Sequence, residues 1–295
     1  MKKVCNVCLI GRPNVGKSTF LNNVLNFNLS IITDKPQTTK DNIRGIYNDK
    51  DYQIIFIDTP GIHKAENLLS ERLNSKSYEA IENSDVVLFL TPANETIGTG
   101  DKFIIEKINE TNNENKIAVI SKIDLLNTKE EADKKAEELK KLGFEKVFGI
   151  GQNLPTSYLD LINEIKTYCY EDEPLYPDDQ IGDITLRFMA KEIIRETAIN
   201  NLKFELPHSI AVEIEQFDDK NEDEDYKIYA LIYVKKKSQK PILIGKDGQM
   251  IKKISIDSRH KMEKIFNHKV FLNIKVKISE DWVDNEFKIK QLGGY

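Results

Sequence analysis

Cysteine is scarce in this chain: its 295 residues include three, Cys5, Cys8 and Cys169. A small, odd number excludes a disulfide framework and points to a reducing compartment, hence to a cytoplasmic location. Cys5 and Cys8 do form a C-x-x-C, but no second pair exists to complete a zinc site, and residues three apart on a strand face opposite ways. Both are read as structural. No run of about 18 apolar residues occurs, which argues against a transmembrane span. The start is basic and then apolar, but the apolar stretch is short, contains Asn6 and leads into a phosphate-binding motif instead of a small-residue cleavage site. It is expected to be a buried first strand. Internal repeats and low-complexity tracts are missing, which leaves a globular chain long enough for two domains. A positive excess is missing as well: 43 Lys and Arg stand against 48 Asp and Glu, a net charge of -5, so bulk charge does not suggest a nucleic-acid partner.

The distribution of charge says more than its sum. Six acids crowd residues 218 to 225, whereas Lys240 to Lys277 holds ten Lys and Arg against Asp247, Asp257 and Glu263. A local basic surface follows. Up to about Tyr170, apolar runs at Val4 to Ile10, Tyr52 to Ile57, Val86 to Leu90, Lys116 to Ile120 and Lys146 to Ile150 alternate with helical stretches. That order predicts βαβ units and a mostly parallel sheet with helices on both faces. The charged stretch from 127 to 142 reads as a solvated surface helix. An acidic segment with Pro174 and Pro177 then breaks the pattern, so the chain divides into residues 1–172, a linker at 173–184, and 185–295. The last part reads as a helix from Thr185 to Leu202, strands at Ser209 to Phe217 and Tyr226 to Val234, and a helical region from Ile242 to Phe266 interrupted between two glycines. It closes with a strand whose Val270, Leu272, Ile274, Val276 and Ile278 point to a core. This is a smaller α+β domain.

Directly after the first strand stands Gly11-Arg12-Pro13-Asn14-Val15-Gly16-Lys17-Ser18, a complete G-x-x-x-x-G-K-S. Its glycines let backbone N–H groups curl around phosphate, Lys17 reaches the β and γ phosphates, Ser18 can ligate Mg²⁺, and the following helix N-terminus favours negative charge. The next strand ends in Asp58-Thr59-Pro60-Gly61. A carboxylate at such a tip can hold Mg²⁺, and the Gly61 N–H can touch the γ-phosphate, although the same four residues also make a good turn. A third element, Ser121-Lys122-Ile123-Asp124, follows the strand at Lys116 to Ile120. Asp124 there would accept from the guanine N1–H and 2-amino groups, whereas adenine offers a lone pair to it, so the base read is guanine.

With these elements in order the chain resembles the TRAFAC-class GTPases, whose P-loop, D-x-x-G and N-K-x-D motifs it reproduces with one change, Ser121 for Asn. In that family the Asn helps hold the base and ties its loop to the P-loop, and an S-A-x loop backs the base where this chain has Gly151-Gln152-Asn153. Both departures predict weaker guanine binding. The resemblance further implies GTP and GDP as ligands and Mg²⁺ held by Ser18, Asp58 and Thr39, the last within a switch segment Pro36-Gln37-Thr38-Thr39-Lys40. Lys17, Thr39, Asp58 and Gly61 are the expected catalytic set. Ile62 stands where many relatives carry a water-orienting glutamine, so slow hydrolysis is expected. Some relatives with Asn at the position of Asn14 bind K⁺ through it, which makes K⁺ stimulation a hypothesis.

The second domain carries Gly245-Lys246-Asp247-Gly248 between two apolar helical segments, with Lys252 and Lys253 following. A G-x-x-G alone is weak and serves equally as a helix–helix turn. Within an α-β-β-α-β order and a basic stretch it reads as the loop with which KH domains, here of type II, hold single-stranded RNA. Tyr176-Pro177, Asp179, the run Arg187 to Glu196, Leu206-Pro207-His208-Ser209 and Trp282 extend the resemblance, over nearly the whole chain, to bacterial GTPases that end in a KH domain. Membership there implies a monomeric, slowly hydrolysing GTP switch. It would bind small-subunit 16S ribosomal RNA, assist assembly of the 30S subunit and associate peripherally with the inner membrane. Two other readings stay open: a constitutive RNA-binding assembly factor whose GTPase domain is largely structural, and an ATP-dependent enzyme, which Asp124 disfavours.

Overall fold

The computed structural model describes residues 1–30, 32, 41–126, 128–202, 206–218, 225–280 and 282–293. They form two compact units, the first ending at Asp183 and the second built on the chain from Ile184 onward. In the first, the order is β1 (Lys2–Ile10), α1 (Lys17–Leu25), β2 (Ile43–Asn48), β3 (Tyr52–Asp58), α2 (Leu68–Glu82), β4 (Val86–Pro92) and α3 (Thr99–Glu110). It continues through β5 (Lys116–Ser121), α4 (Lys129–Lys141), β6 (Lys146–Gly149), α5 (Pro155–Lys166) and β7 (Tyr170–Asp172). The strands line up as β2-β3-β1-β4-β5-β6, parallel except for β2, which pairs antiparallel with β3. Residues Leu9, Ile10, Val87 to Leu90 and Ile117 to Val119 are completely buried, as a sheet covered on both faces requires. Because β1, β3, β4 and β5 run the same way, their carboxyl ends deliver Gly11, Asp58, Pro92 and Ser121 to one edge, where open α/β sheets bind ligands.

Two strands differ from the expected pattern. β2 (Ile-Arg-Gly-Ile-Tyr-Asn) lacks a clean alternation because Gly45 lies beneath α1: a Cβ there would meet Leu21 Cδ1 at 2.5 Å and Leu25 Cδ1 at 2.6 Å. β7 is three residues long and pairs antiparallel with Lys2 to Val4 of β1, alongside the half of β1 that β4 does not reach.

The acidic, proline-bearing segment belongs to this first unit up to Asp183 and lies along the free edge of β2. Ile46 N–H donates to the Ile181 carbonyl at 2.7 Å, Asp183 N–H donates to the Arg44 carbonyl at 3.1 Å, and Gly45 bridges Gly182. Gln53, fully buried in the otherwise apolar β3, holds the same segment with both ends of its amide. Its Oε1 accepts from Leu175 N–H (2.8 Å) and Tyr176 N–H (3.1 Å), and its Nε2 donates to the Tyr176 carbonyl (2.8 Å) and to Asn48 Oδ1 (2.9 Å). An exposed edge strand is thereby covered.

The second unit runs α6 (Leu186–Asn201), β8 (Ile210–Asp218), β9 (Tyr226–Val234), α7 (Gln239–Ile244), α8 (Gln249–Phe266), β10 (Val270–Ile278) and α9 (Glu286–Gly293). Thr185 caps α6, its Oγ1 accepting from Phe188 N–H at 3.1 Å. The sheet order is β10-β9-β8, with β8 antiparallel and β10 parallel to β9, and Ala190, Ile194, Val212, Ile232, Ile254 and Met262 meet in its core. Along β10 the expected inward row fades: Val270 is buried, but Ile278 is 36% exposed, because β10 is the sheet's edge and its far end runs beyond the core.

Candidate nucleotide site and nucleic-acid interface

The turn from β1 into α1 adopts the conformations its glycines allow. Gly16 has φ 101°, Asn14 has φ 63°, and a Cβ on Gly11 would meet the Leu90 carbonyl oxygen at 2.5 Å and Val15 Cγ2 at 2.9 Å. Val15 is buried and anchors the loop, while Asn14 is exposed on it. The Lys17 ammonium lies under this loop and donates to the carbonyls of Gly11 (3.1 Å) and Arg12 (3.0 Å). Burial pushes its pKa down to about 8, although Asp58 pulls the other way. The Arg12 side chain turns away toward α3, with Nη2 2.7 Å from Glu95 and Nε 2.9 Å from Asp101, so Arg12 offers the site only its backbone.

Asp58 ends β3 fully buried, and burial raises its pKa against the pull of Lys17 and Ser18. Its Oδ2 accepts from Ser18 Oγ at 2.7 Å, and its buried Oδ1 has no hydrogen-bond partner. A hydroxyl and a carboxylate with spare oxygen capacity suit a hard, oxygen-seeking cation such as Mg²⁺. Thr59 behaves otherwise than a ligand: its hydroxyl is spent inside the core on the Leu9 carbonyl at 2.6 Å, and Pro60 gives its carbonyl to Ser77 Oγ at 3.0 Å. Both shape the turn. Gly61 is pressed against the P-loop, where a Cβ would meet Pro13 N at 2.5 Å and Pro13 Cα at 2.7 Å. Ile62 N–H donates to the Gly11 carbonyl at 3.3 Å while its side chain is buried among Ile10, Phe89 and Ile97, where it can orient no water. Thr39 and the segment from Pro36 to Lys40 lie outside the described residues.

Two ties join the end of β5 to the P-loop. Ser121 Oγ donates to the Val15 carbonyl at 2.5 Å, and Lys122 Nζ donates to the Asn14 carbonyl at 3.0 Å. The hydroxyl at Ser121 therefore supplies the loop-to-loop bond expected of an asparagine. Ile123 N–H donates to the Ile150 carbonyl at 3.1 Å, which sets Asp124 over Gly151. Asp124 Oδ1 accepts from Gln152 N–H at 3.1 Å, and a Cβ on Gly151 would come within 2.7 Å of that oxygen. Gly151, which reads in sequence as a departure, is a position where any side chain would crowd the Asp124 carboxylate. Sequence reasoning missed the loop-to-loop role of Lys122, which rests on its bond to the Asn14 carbonyl.

In the second unit the G-x-x-G loop closes α7 and opens α8. Gly245 (φ 77°) could take no side chain, since a Cβ would meet Met250 Cβ at 2.7 Å and Met250 N at 2.8 Å. Gly248 has φ 74° and caps α8. Lys246, Asp247, Lys252 and Lys253 are all exposed around this helix start. Glycines that open the backbone, a helix N-terminus and lysines beside it make a surface suited to a sugar-phosphate chain.

Fold and sites together define the class: a P-loop GTPase joined to a KH domain. A family model described as 50S ribosome-binding GTPase matches residues 6–122, and one described as KH domain matches residues 205–283. Over 291 residues the chain is 50% identical to GTPase Era of Mycoplasmopsis agalactiae, covering 99% of both, and over 288 residues 38% identical to that of Fusobacterium nucleatum, covering 97% of both. The chain belongs to the Era family of GTPases. It superimposes with a TM-score of 0.93, at 35% identity over 99% of each chain, on a crystal structure of Era in complex with MgGDPNP and nucleotides 1506-1542 of 16S ribosomal RNA. An Aquifex aeolicus Era variant bound to GDP.AlF4- gives 0.92 at the same identity and coverage.

Proposed function

We propose that this GTPase is a switch whose nucleotide state sets how firmly its KH unit holds the 3′ region of 16S ribosomal RNA during assembly of the 30S subunit. The observation that carries the guanine site is Asp124, seated over Gly151 and bound through Ser121 and Lys122 to the loop that would wrap the phosphates. In this reading 1–172 is the G domain, 173–184 the linker and 185–295 the RNA-binding part. Backbone N–H groups from Arg12 to Ser18 and the Lys17 ammonium bind phosphate, and the Gly61 N–H reports the γ-phosphate. Ser18 and Asp58, with Thr39, hold Mg²⁺, which neutralises charge on the phosphate oxygens when bound. Asn14, exposed on the P-loop, is the candidate K⁺ ligand. Gly245 to Gly248 with Lys252 and Lys253 meet RNA. A cytoplasmic, monomeric protein with peripheral attachment to the inner membrane fits the family, and no helix among the described residues is long and apolar enough to cross a membrane.

A ligand shifts an equilibrium only through its different affinity for two states. The test is therefore RNA affinity with GDP and with a non-hydrolysable GTP analogue, using a fragment from the 3′ end of small-subunit RNA. Different affinities are expected, together with displacement of a fluorescent GDP analogue by GDP and none by ADP. Equal affinities in the two states would remove the switch and leave a constitutive RNA-binding factor, a reading to which the buried Ile62 lends support.

A further inference from the structure

We propose that Cys5 and Cys169 are an oxidation site, a thiol pair that a hydroperoxide converts into a disulfide fastening β7 to β1. The pairing follows from register. β1 and β7 run antiparallel with Lys2 opposite Asp172, Lys3 opposite Glu171 and Val4 opposite Tyr170, so the next position inward sets Cys5 opposite Cys169. Directly opposed residues of antiparallel strands have Cα atoms about 4.5–5.5 Å apart, within the span of about 4.4–6.8 Å that a disulfide bridges. The two sulfurs are already in contact at 2.9 Å as free thiols.

The two partners divide the chemistry. Cys5 is fully buried, whereas Cys169 is only half-buried and reachable from solvent. The hydrogen bond from Cys5 holds the Cys169 thiol below its ordinary range, helped by Lys166 and opposed by burial and by the carboxylates of Asp85 and Asp49. An accessible sulfur with thiolate character beside a second thiol is the arrangement that oxidises selectively. Cys8 supplies an internal control, being fully buried with its thiol pushed up to about 12 by burial. In the first step the Cys169 thiolate attacks one peroxide oxygen: an S–O bond forms, the O–O bond breaks, and the departing hydroxide or alkoxide takes up a proton. Sulfur is oxidised to sulfenic acid. The Cys5 sulfur then attacks that sulfur, forming S–S and breaking S–O, and the released hydroxide leaves with the Cys5 proton as water. A dithiol reverses the change. Cys5 lies in the half of β1 remote from Gly11, so the bridge leaves the nucleotide site intact while tying down the strand that runs into the segment at 173–183.

The test treats the full-length, GDP-bound protein with graded hydrogen peroxide, caps remaining thiols with N-ethylmaleimide and maps the digest without reduction. The expected result is a linked pair of peptides carrying Cys5 and Cys169, Cys8 recovered as a capped thiol after denaturation, and GDP still bound. In C5S the same peroxide treatment with dimedone present gives a dimedone adduct at Cys169, and in C169S neither product forms; retained GDP binding certifies that each variant is folded. Linked peptides that include Cys8, a Cys169 that stops at sulfenic or sulfinic acid in the wild type, or thiols untouched at peroxide levels that oxidise added glutathione would each overturn the proposal.

Discussion

Replacing Lys17 by methionine should stabilise the first unit while abolishing nucleotide binding. The lysine is 6% exposed, and its pKa is pushed down to about 8 from the ordinary 10.5, so its charge at neutral pH is maintained against the fold. The gap corresponds to about 3 kcal/mol, with the attraction to Asp58 already included. Methionine keeps most of the buried stem but loses the bonds to the Gly11 and Arg12 carbonyls, worth about 1 kcal/mol each, which leaves a gain of about 1 kcal/mol. The sign in pH follows from linkage. Between about 8 and 10.5 the unfolded chain holds the Lys17 proton and the folded one does not, so the wild type gains stability as pH rises through that window; below about 8 the full penalty is present. The assay is hydrogen exchange of the β1 amides from Val7 to Ile10 in nucleotide-free protein at pH 7, where K17M should slow global-opening exchange by roughly 5-fold. The single tryptophan, Trp282, lies in the second unit and provides a probe whose unfolding transition should not move. Exchange in K17M as fast as in the wild type, or faster, would refute the reasoning that the lysine is held at a cost to the fold.

Removing the Ser121 hydroxyl in S121A should weaken GDP and GTP alike by roughly 5- to 30-fold, the equivalent of about 1–2 kcal/mol, because it frees the base loop from the Val15 carbonyl without touching phosphate. S121T should largely restore affinity, and titration of a fluorescent GDP analogue reads both; an S121A affinity within twofold of wild type would show that Lys122 alone suffices. Q53A deletes four hydrogen bonds from a buried amide and should release residues 174 to 176, costing about 3 kcal/mol locally. Limited proteolysis checks it: cutting at 173–183 should accelerate in Q53A, and an unchanged rate would mean that the β2 bonds hold the segment unaided.

The parallel sheet was legible because fully buried strands read as apolar runs and each nucleotide motif stands directly after one of them. Gly11, Asp58 and Ser121 thus each fall at the end of a strand in sequence, and the parallel order brings those ends to one edge of the sheet. The KH unit was legible from its element order, with Gly245 and Gly248 confined to conformations that explain the motif. What sequence concealed is non-local. Ser121 reads as the loss of an amide, and only its distance to Val15 shows that a shorter side chain makes the same tie. Thr59 sits inside a nucleotide motif yet spends its hydroxyl on Leu9. Gln53 left a trace, one polar residue in the apolar run from Tyr52 to Ile57, but nothing in sequence says that three of its four bonds reach residues more than a hundred positions away. The Cys5–Cys169 contact likewise depends on a three-residue strand too short to carry a pattern.

Gln53 and β2 also give the proposed switch a physical route. β2 begins three residues after Lys40, the end of the proposed switch segment, and β3 ends at Asp58, three residues before Gly61. The chain leading out of this unit is bonded to both strands, to β2 through Arg44, Gly45 and Ile46 and to β3 through Gln53. A rearrangement on either side of the γ-phosphate would thus act on a strand that carries the linker, with no contiguous relay through the core. Small shifts in packed elements resolve into discrete alternatives rather than gradual deformation. The bonds at 174–183 are where such an alternative would be read, and nucleotide-dependent protection of the Ile46 and Asp183 amides is its direct signature. Equal protection in the GDP and GTP-analogue states would place the coupling elsewhere.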